Sequence, residues 1–224
     1  YDPLITSRPN EAWCADVTIF KTADYKKHYI HVLMDHYSKK IIGYRIEPSS
    51  SGKAIRELLQ NAFDVYKPNS TLFLTDGGSE NVNSNVSSFL ESTESKIIHR
   101  IAQRNVVFSN SMIEAFNKVL KHQFLYPKNI KYRVELVEVM YSVIELYNNH
   151  RPQIALAGST PNETATTHGP EPIRATPIGE VRLSPRVQRR RGRTPRQTTT
   201  RHRPDQRTHS NAPAQTTDPN AKHN

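Results

Sequence analysis

Every aromatic side chain in this chain lies at or before Tyr147, and none of the last 77 of its 224 residues is aromatic. A packed core needs large apolar side chains at regular spacing, so the foldable part should end near that point. Charge divides at a similar place. Residues 1–179 carry 20 Lys and Arg against 18 Asp and Glu, a net of +2, whereas residues 180–224 carry 11 against 3, a net of +8. This last stretch is rich in Arg, Thr and Pro and includes Arg189-Arg190-Arg191. It cannot bury enough apolar surface to offset chain entropy and is expected to be disordered. The expected organisation is a linker over 1–11, a folded core over 12–165, a second linker over 166–179 and a disordered basic tail over 180–224.

Periodicity gives the elements of the core. Residues 12–21 alternate apolar and polar, as do Tyr29–Met34 and Ile41–Ile46, and each reads as a strand. Pro48 and Ser49-Ser50-Ser51-Gly52 break the pattern and offer helix caps. Ala54, Ile55, Leu58, Leu59, Ala62, Phe63 and Tyr66 then fall at helical spacing. Leu72–Leu74 is a short apolar strand, Val82, Val86, Phe89 and Leu90 suggest a helix, and Ile97-Ile98 marks a fifth strand. Residues 101–109 show no period and read as a loop. Two helices follow, near 111–125 and 132–148, the second amphipathic through Val134, Val137, Met140, Val143 and Ile144. The order βββαβαβαα implies an α/β domain with a mixed five-stranded sheet flanked by helices.

Three acids stand out in that frame. Asp16 sits inside the first strand and shares a face with Cys14, Thr18 and Phe20, while Trp13, Ala15, Val17 and Ile19 take the other. Asp76 ends the Leu72–Thr75 run, at the carboxyl end of a strand where open α/β sheets place ligands. Gly77-Gly78 follow it and permit close approach. Glu114 lies near the start of a helix, opposite an apolar stripe of Ile113, Phe116, Leu120 and Phe124. At about 100° per residue Lys118 and Lys121 fall about 40° and 20° to either side of Glu114, on one exposed face.

Carboxylates at such positions are costly to bury unless paired or bound to a cation. Oxygen donors suit Mg²⁺, which takes few protein ligands and leaves room for water and phosphate. Two ions about 3.5–4 Å apart would hold both sides of an in-line displacement at phosphorus, with Mn²⁺ as a substitute. Lys118 and Lys121 would meet phosphates beside them. The overall balance, a net charge of +10 and a pI near 9.7, also favours nucleic acid as partner. A single Cys14 excludes an internal disulfide and a Cys-rich zinc site and fits a reducing compartment. No apolar run approaches the roughly 18 residues of a membrane span. The chain begins Tyr-Asp-Pro without Met, and further sequence is expected upstream.

Four segments carry a family resemblance. They are Trp13-Cys14-Ala15-Asp16-Val17-Thr18 with Asp35–Gly43, then Thr75-Asp76-Gly77-Gly78-Ser79-Glu80, then Asn110–Phe116 through Lys121, and lastly Tyr147-Asn148-Asn149-His150-Arg151-Pro152 through Glu163. Together they resemble the catalytic core of DDE transposases and retroviral integrases, most closely bacterial insertion-sequence transposases of the integrase-core type. The likeness covers roughly residues 8–165. It implies an RNase H-like fold, with Asp16, Asp76 and Glu114 as catalytic metal ligands. It also implies nicking at mobile-element ends and transfer of the 3′-hydroxyl to target DNA. DNA contacts at Lys118 and Lys121, a homo-oligomer on DNA, and a bacterial cytoplasmic, nucleoid-associated setting follow from it as well. This chain departs from the family at Ser109, often Asp, at Gln153, often His, and in a slightly longer spacing between Asp76 and Glu114. A simple RNase H-like nuclease and a catalytically inactive DNA-binding remnant of a mobile element are the alternatives.

Other side chains have structural readings beside functional ones. His31 and His36 read as surface or core histidines, Trp13 as core, and Asp35 as a turn cap in preference to a fourth acid. Tyr147, Asn148 and Arg151 should terminate and dock their helix, with DNA contact by Arg151 as a second role. Arg189, Arg190 and Arg191 are expected to touch phosphates nonspecifically.

Overall fold

The computed structural model describes residues 4–93, 96–101 and 110–167. Three antiparallel strands come first: β1 (Ala12–Lys21), β2 (Lys27–Asp35) and β3 (Ile41–Glu47). Helix α1 (Gly52–Tyr66) leads to β4 (Thr71–Thr75), and α2 (Ser84–Ser92) to β5 (Ile97–Ile101). Both later strands run parallel to β1, so the sheet order is β3-β2-β1-β4-β5. Helices α3 (Ser111–Val119) and α4 (Arg133–Asn149) follow, then α5 (Pro161–Thr166). This is the mixed five-stranded, helix-flanked sheet that the periodicity implies.

Alternation along β1 separates two cores. Ala12, Cys14 and Phe20 pack with Ile30, Val32 and Met34 against α3 and α4. Trp13 and Ala15 pack with Leu33 and Phe73 against α1 and α2. Each large side chain fully enclosed there contributes on the order of 1.5–3 kcal/mol. Helix α1 starts where the serine run predicts: the Ser51 hydroxyl accepts from the Ala54 amide at 3.3 Å. It lies so close to β3 that a Cβ on Gly43 would come within 2.9 Å of the Leu58 side chain.

The helices depart from the sequence reading in four places. The helix expected to run through 125 leaves the α form after Val119 and continues as a π-helix over Leu120–Leu125. Leu120 and Leu125 are five residues apart, and at 100° per residue they would point about 140° away from each other. The wider turn, with the Tyr126 amide bonded to the Lys121 carbonyl at 2.8 Å, lets both be fully buried. Leu125 thereby takes the core place expected for Phe124, which is only half-buried. On α4 the buried face uses Leu136, while Val134 is exposed. Helix α2 begins at Ser84 under an Asn83 cap, so Val82 lies outside it and is exposed.

Helix α5 was not expected. Its signal was present in Thr160-Pro161-Asn162-Glu163, a capping box with proline in the first turn. The Glu163 carboxylate accepts from the Thr160 amide at 2.7 Å, and the Thr160 hydroxyl accepts from the Glu163 amide at 3.2 Å.

The segment before β1 makes specific contacts. Leu4 packs on the α3–α4 core, Thr6 bonds His36 Nδ1 at 2.9 Å, and the Asn10 amide donates to Asp35 at 2.7 Å. Among the described residues, no helix is long and apolar enough to cross a membrane.

Candidate active site

Strand register brings the first two acids together. Parallel pairing sets Cys14 beside Leu74, and two residues further along each strand direction stand Asp16 and Asp76. Helix α3 crosses the same face of β1. Its Asn117, one turn beyond Glu114, donates from Nδ2 to Asp16 Oδ2 at 2.7 Å, across 101 positions of chain. The other Asp16 oxygen, Oδ1, accepts from the Val17 amide at 2.8 Å.

The three carboxylates do not have equal surroundings. Asp16 is partly buried, whereas Asp76 and Glu114 are exposed. Burial pushes the Asp16 carboxyl up to about 6; the Val17 and Asn117 hydrogen bonds oppose that rise, and the Asp76 and Glu114 charges add to it. Asp16 therefore lies within the field of both other acids. Among the described residues none of the three acids joins an ion pair. Nor are any three His, Cys, Asp or Glu side chains there already gathered tightly enough to hold a metal ion.

Asp76 lies past the end of β4 on a tight turn. Its Oδ1 accepts from Asn81 Nδ2 at 2.9 Å and from the Gly78 amide at 3.2 Å. Asn81 is wholly buried. Neither Asn117 nor Asn81 is among the residues singled out from sequence. Asn117 could have been found, since it is a polar residue between the buried positions Phe116 and Leu120, three residues after Glu114. Asn81 has no such signal.

Lys118 is exposed and Lys121 half-buried on the helix that carries Glu114, and neither forms an ion pair among the described residues. Lys121 falls within the π-helix, so its phase differs from the one expected of a regular helix. Arg151 donates to Gln123 at 2.7 Å and lies over the Phe124 ring at 5.8 Å, which ties the end of α4 to the π-helix. Tyr147 packs edge-on against Phe116 with ring centroids 4.8 Å apart. Arg189, Arg190 and Arg191 lie outside the described residues.

The remaining candidates have structural surroundings. Asp35 is buried and accepts from the Asn10 amide and from both the amide and hydroxyl of Ser38, a turn cap. His31 and His36 are buried core histidines. Cys14 is buried too, and burial pushes its thiol up to about 12, far from a reactive thiolate.

Residues 6–104 match the integrase core domain, a span that includes Asp16 and Asp76 and stops before Glu114. The chain is 27% identical over 142 residues to a transposase for insertion sequence element IS904 of Lactococcus lactis, covering 63% of this chain and 55% of that protein. It is 27% identical over 158 residues to the putative transposase InsK for insertion sequence element IS150 of Escherichia coli, covering 70% and 55%. The fold matches the catalytic core domain of HTLV-2 integrase, solved in complex with magnesium, with a TM-score of 0.55 at 18% identity over 70% of this chain and 97% of that one. These likenesses support reading the chain as a transposase/integrase catalytic core.

The sheet and its helices have the RNase H-like fold of these integrase cores. A simian T-cell lymphotropic virus intasome chain shares it with a TM-score of 0.57 at 22% identity, over 79% of this chain and 59% of that one. The chain spans about half the length of the curated transposases it matches.

Proposed function

We propose that this core cleaves DNA strands and transfers a 3′-hydroxyl to target DNA, using Mg²⁺ or Mn²⁺ held by Asp16, Asp76 and Glu114. The observation that carries this reading is the convergence at Asp16. Its strand sets it beside Asp76, Asn117 links it to the helix of Glu114, and both other charges raise its proton affinity. Three mutually repelling oxygen donors with no ion-paired cation among the described residues fit a hard divalent ion. Asp16 supplies the fixed ligand. Asp76 is held by its turn through Gly78 and Asn81, and Glu114, exposed on α3, completes the set by side-chain adjustment.

Divalent cations held by Asp16, Asp76 and Glu114 would supply Lewis acidity for a water or 3′-hydroxyl nucleophile and for the leaving 3′-oxygen. The protein's own part is positioning. The Val17 amide and Asn117 hold the Asp16 carboxylate in one orientation. Lys118 and Lys121 hold flanking phosphates and set the scissile bond against the acids. Arg151 mainly fastens Gln123 and Phe124, so its effect on DNA is through the shape of the π-helix. Arg189, Arg190 and Arg191 add nonspecific phosphate contacts, and a homo-oligomer assembles two DNA ends.

Glu114→Gln tests the reading. The variant should retain the parent's circular dichroism spectrum and melting temperature and lose strand transfer on a labelled oligonucleotide in Mg²⁺ and in Mn²⁺. Parent-like activity in this variant would remove Glu114 from the mechanism.

A further inference from the structure

Of the three acids, Asp76 has the least scaffold. Asp16 is part of a central strand and Glu114 of a helix, whereas Asp76 follows the last residue of β4 and precedes two glycines. An exposed carboxylate on such a turn would sample several rotamers. Asn81 removes that freedom. It is a polar side chain with no exposed surface, a placement that costs free energy unless its groups are bonded. Its Nδ2 donates to Asp76 Oδ1 at 2.9 Å, while its own Oδ1 has no partner among the described residues. The turn is closed by its own backbone. The Asn81 amide donates to the Gly78 carbonyl at 2.9 Å, and the Gly78 amide donates to the Asp76 carbonyl at 2.8 Å. Both side-chain bonds to Asp76 fall on Oδ1, and no hydrogen bond to Oδ2 occurs among the described residues.

We propose that Asn81 is a positioning residue for Asp76: its amide pins Oδ1 so that Oδ2 is presented, unbonded, to the cation. This inference rests on the reading of Asp76 as a cation ligand. Asn117 does a parallel task for Asp16, also from a buried amide whose oxygen is unpartnered among the described residues. Groups that orient a ligand in this way typically change metal affinity by about 10–100-fold when removed.

The test is Mn²⁺ binding to the whole chain, measured by electron paramagnetic resonance of the free ion, alongside thermal melting without metal. Asn81→Leu keeps the side chain's approximate size and removes both the donor and the unpartnered acceptor. The expected result is Mn²⁺ affinity lowered at least about tenfold with a melting temperature equal to or above the parent's. In cleavage assays the Mg²⁺ concentration for half-maximal rate should rise by a similar factor at unchanged DNA affinity. Asn81→Ser, too short to reach Asp76, should behave likewise and serves if the leucine variant does not fold. Parent-like Mn²⁺ binding in a folded variant overturns the proposal, as does a loss of affinity matched by a loss of stability in both variants. Asp16→Asn separates the two levels. If it too binds Mn²⁺ like the parent, the cation site itself is wrong. If it binds weakly while the Asn81 variants bind normally, only the role of Asn81 fails.

Discussion

The Asn148 side chain on α4 closes two hydrogen bonds on the backbone of Ile41 at the start of β3. Its Oδ1 accepts from the Ile41 amide and its Nδ2 donates to the Ile41 carbonyl, both at 2.9 Å and across 107 positions of chain. Asn148 stands in for a neighbouring strand at that point, and so locks the last long helix to the sheet.

Asn148→Ala should therefore leave a buried donor and a buried acceptor of Ile41 without partners. The expected loss is on the order of 2–4 kcal/mol. Urea unfolding followed by circular dichroism measures it. A change within 0.5 kcal/mol, the usual range for surface substitutions, would mean the pair is replaced by water at no cost.

Asp16→Asn should stabilise the metal-free protein while abolishing its chemistry. The raised carboxyl, at about 6 against an ordinary 3.8, means that folding disfavours the charged form. Stability tied to this group is present at low pH and is lost as pH rises through about 6. The variant should thus exceed the parent by on the order of 1–2 kcal/mol above pH 6, and the gap should close below about pH 4. Melting curves of both proteins across that range, without divalent ions, test the sign.

The buried histidines predict acid sensitivity. Burial holds His36 down to about 4, and it also lowers His28, His31 and His99 from 6.5. The unfolded chain takes up these protons first, so the stability from the neutral rings is complete above about pH 6.5. It is lost as pH falls toward 4. His36 alone accounts for on the order of 3 kcal/mol of that slope. The urea midpoint should fall between pH 7.5 and 5, and the fall should be shallower in His36→Gln. A midpoint that rises on acidification would show the carboxyls Asp16 and Asp35 dominating.

Gly43→Ala probes the contact between sheet and α1. The added carbon would come within 2.9 Å of Leu58, which is itself 1% exposed and cannot retreat into solvent. Overpacking of this kind costs about 1–3 kcal/mol. Thermal melting should register it, and an unchanged melting temperature would mean that α1 shifts freely.

Much of this architecture was legible because strands and long amphipathic helices write their buried faces at fixed periods. The alternation of Trp13 and Ala15 against Cys14 and Phe20 set them on opposite faces of the first strand, and the serine run foretold the start of α1. Helix α5 was hidden by its shortness, since six residues bury little beyond Pro161 and leave only a capping box to read. The π-helix was hidden because a helical wheel assumes one constant angle. At the candidate site the acids could be picked out by context, since a carboxylate in an apolar run is conspicuous. Asn81 could not, because its value lies in one bond to Asp76 that only the folded turn creates.

The π-helix has a bearing on how this chain can be compared with its relatives. A widened turn behaves as one extra residue threaded into a helix without lengthening the cylinder. Beyond Leu120 a residue-for-residue alignment to a protein with an uninterrupted helix would slip by one position. The slip would assign a partner's lysine to the neighbour of Lys121 and a core leucine to Phe124. Equivalence in this stretch has to be drawn from superposed backbones, because in this chain Leu125 and not Phe124 occupies the core position.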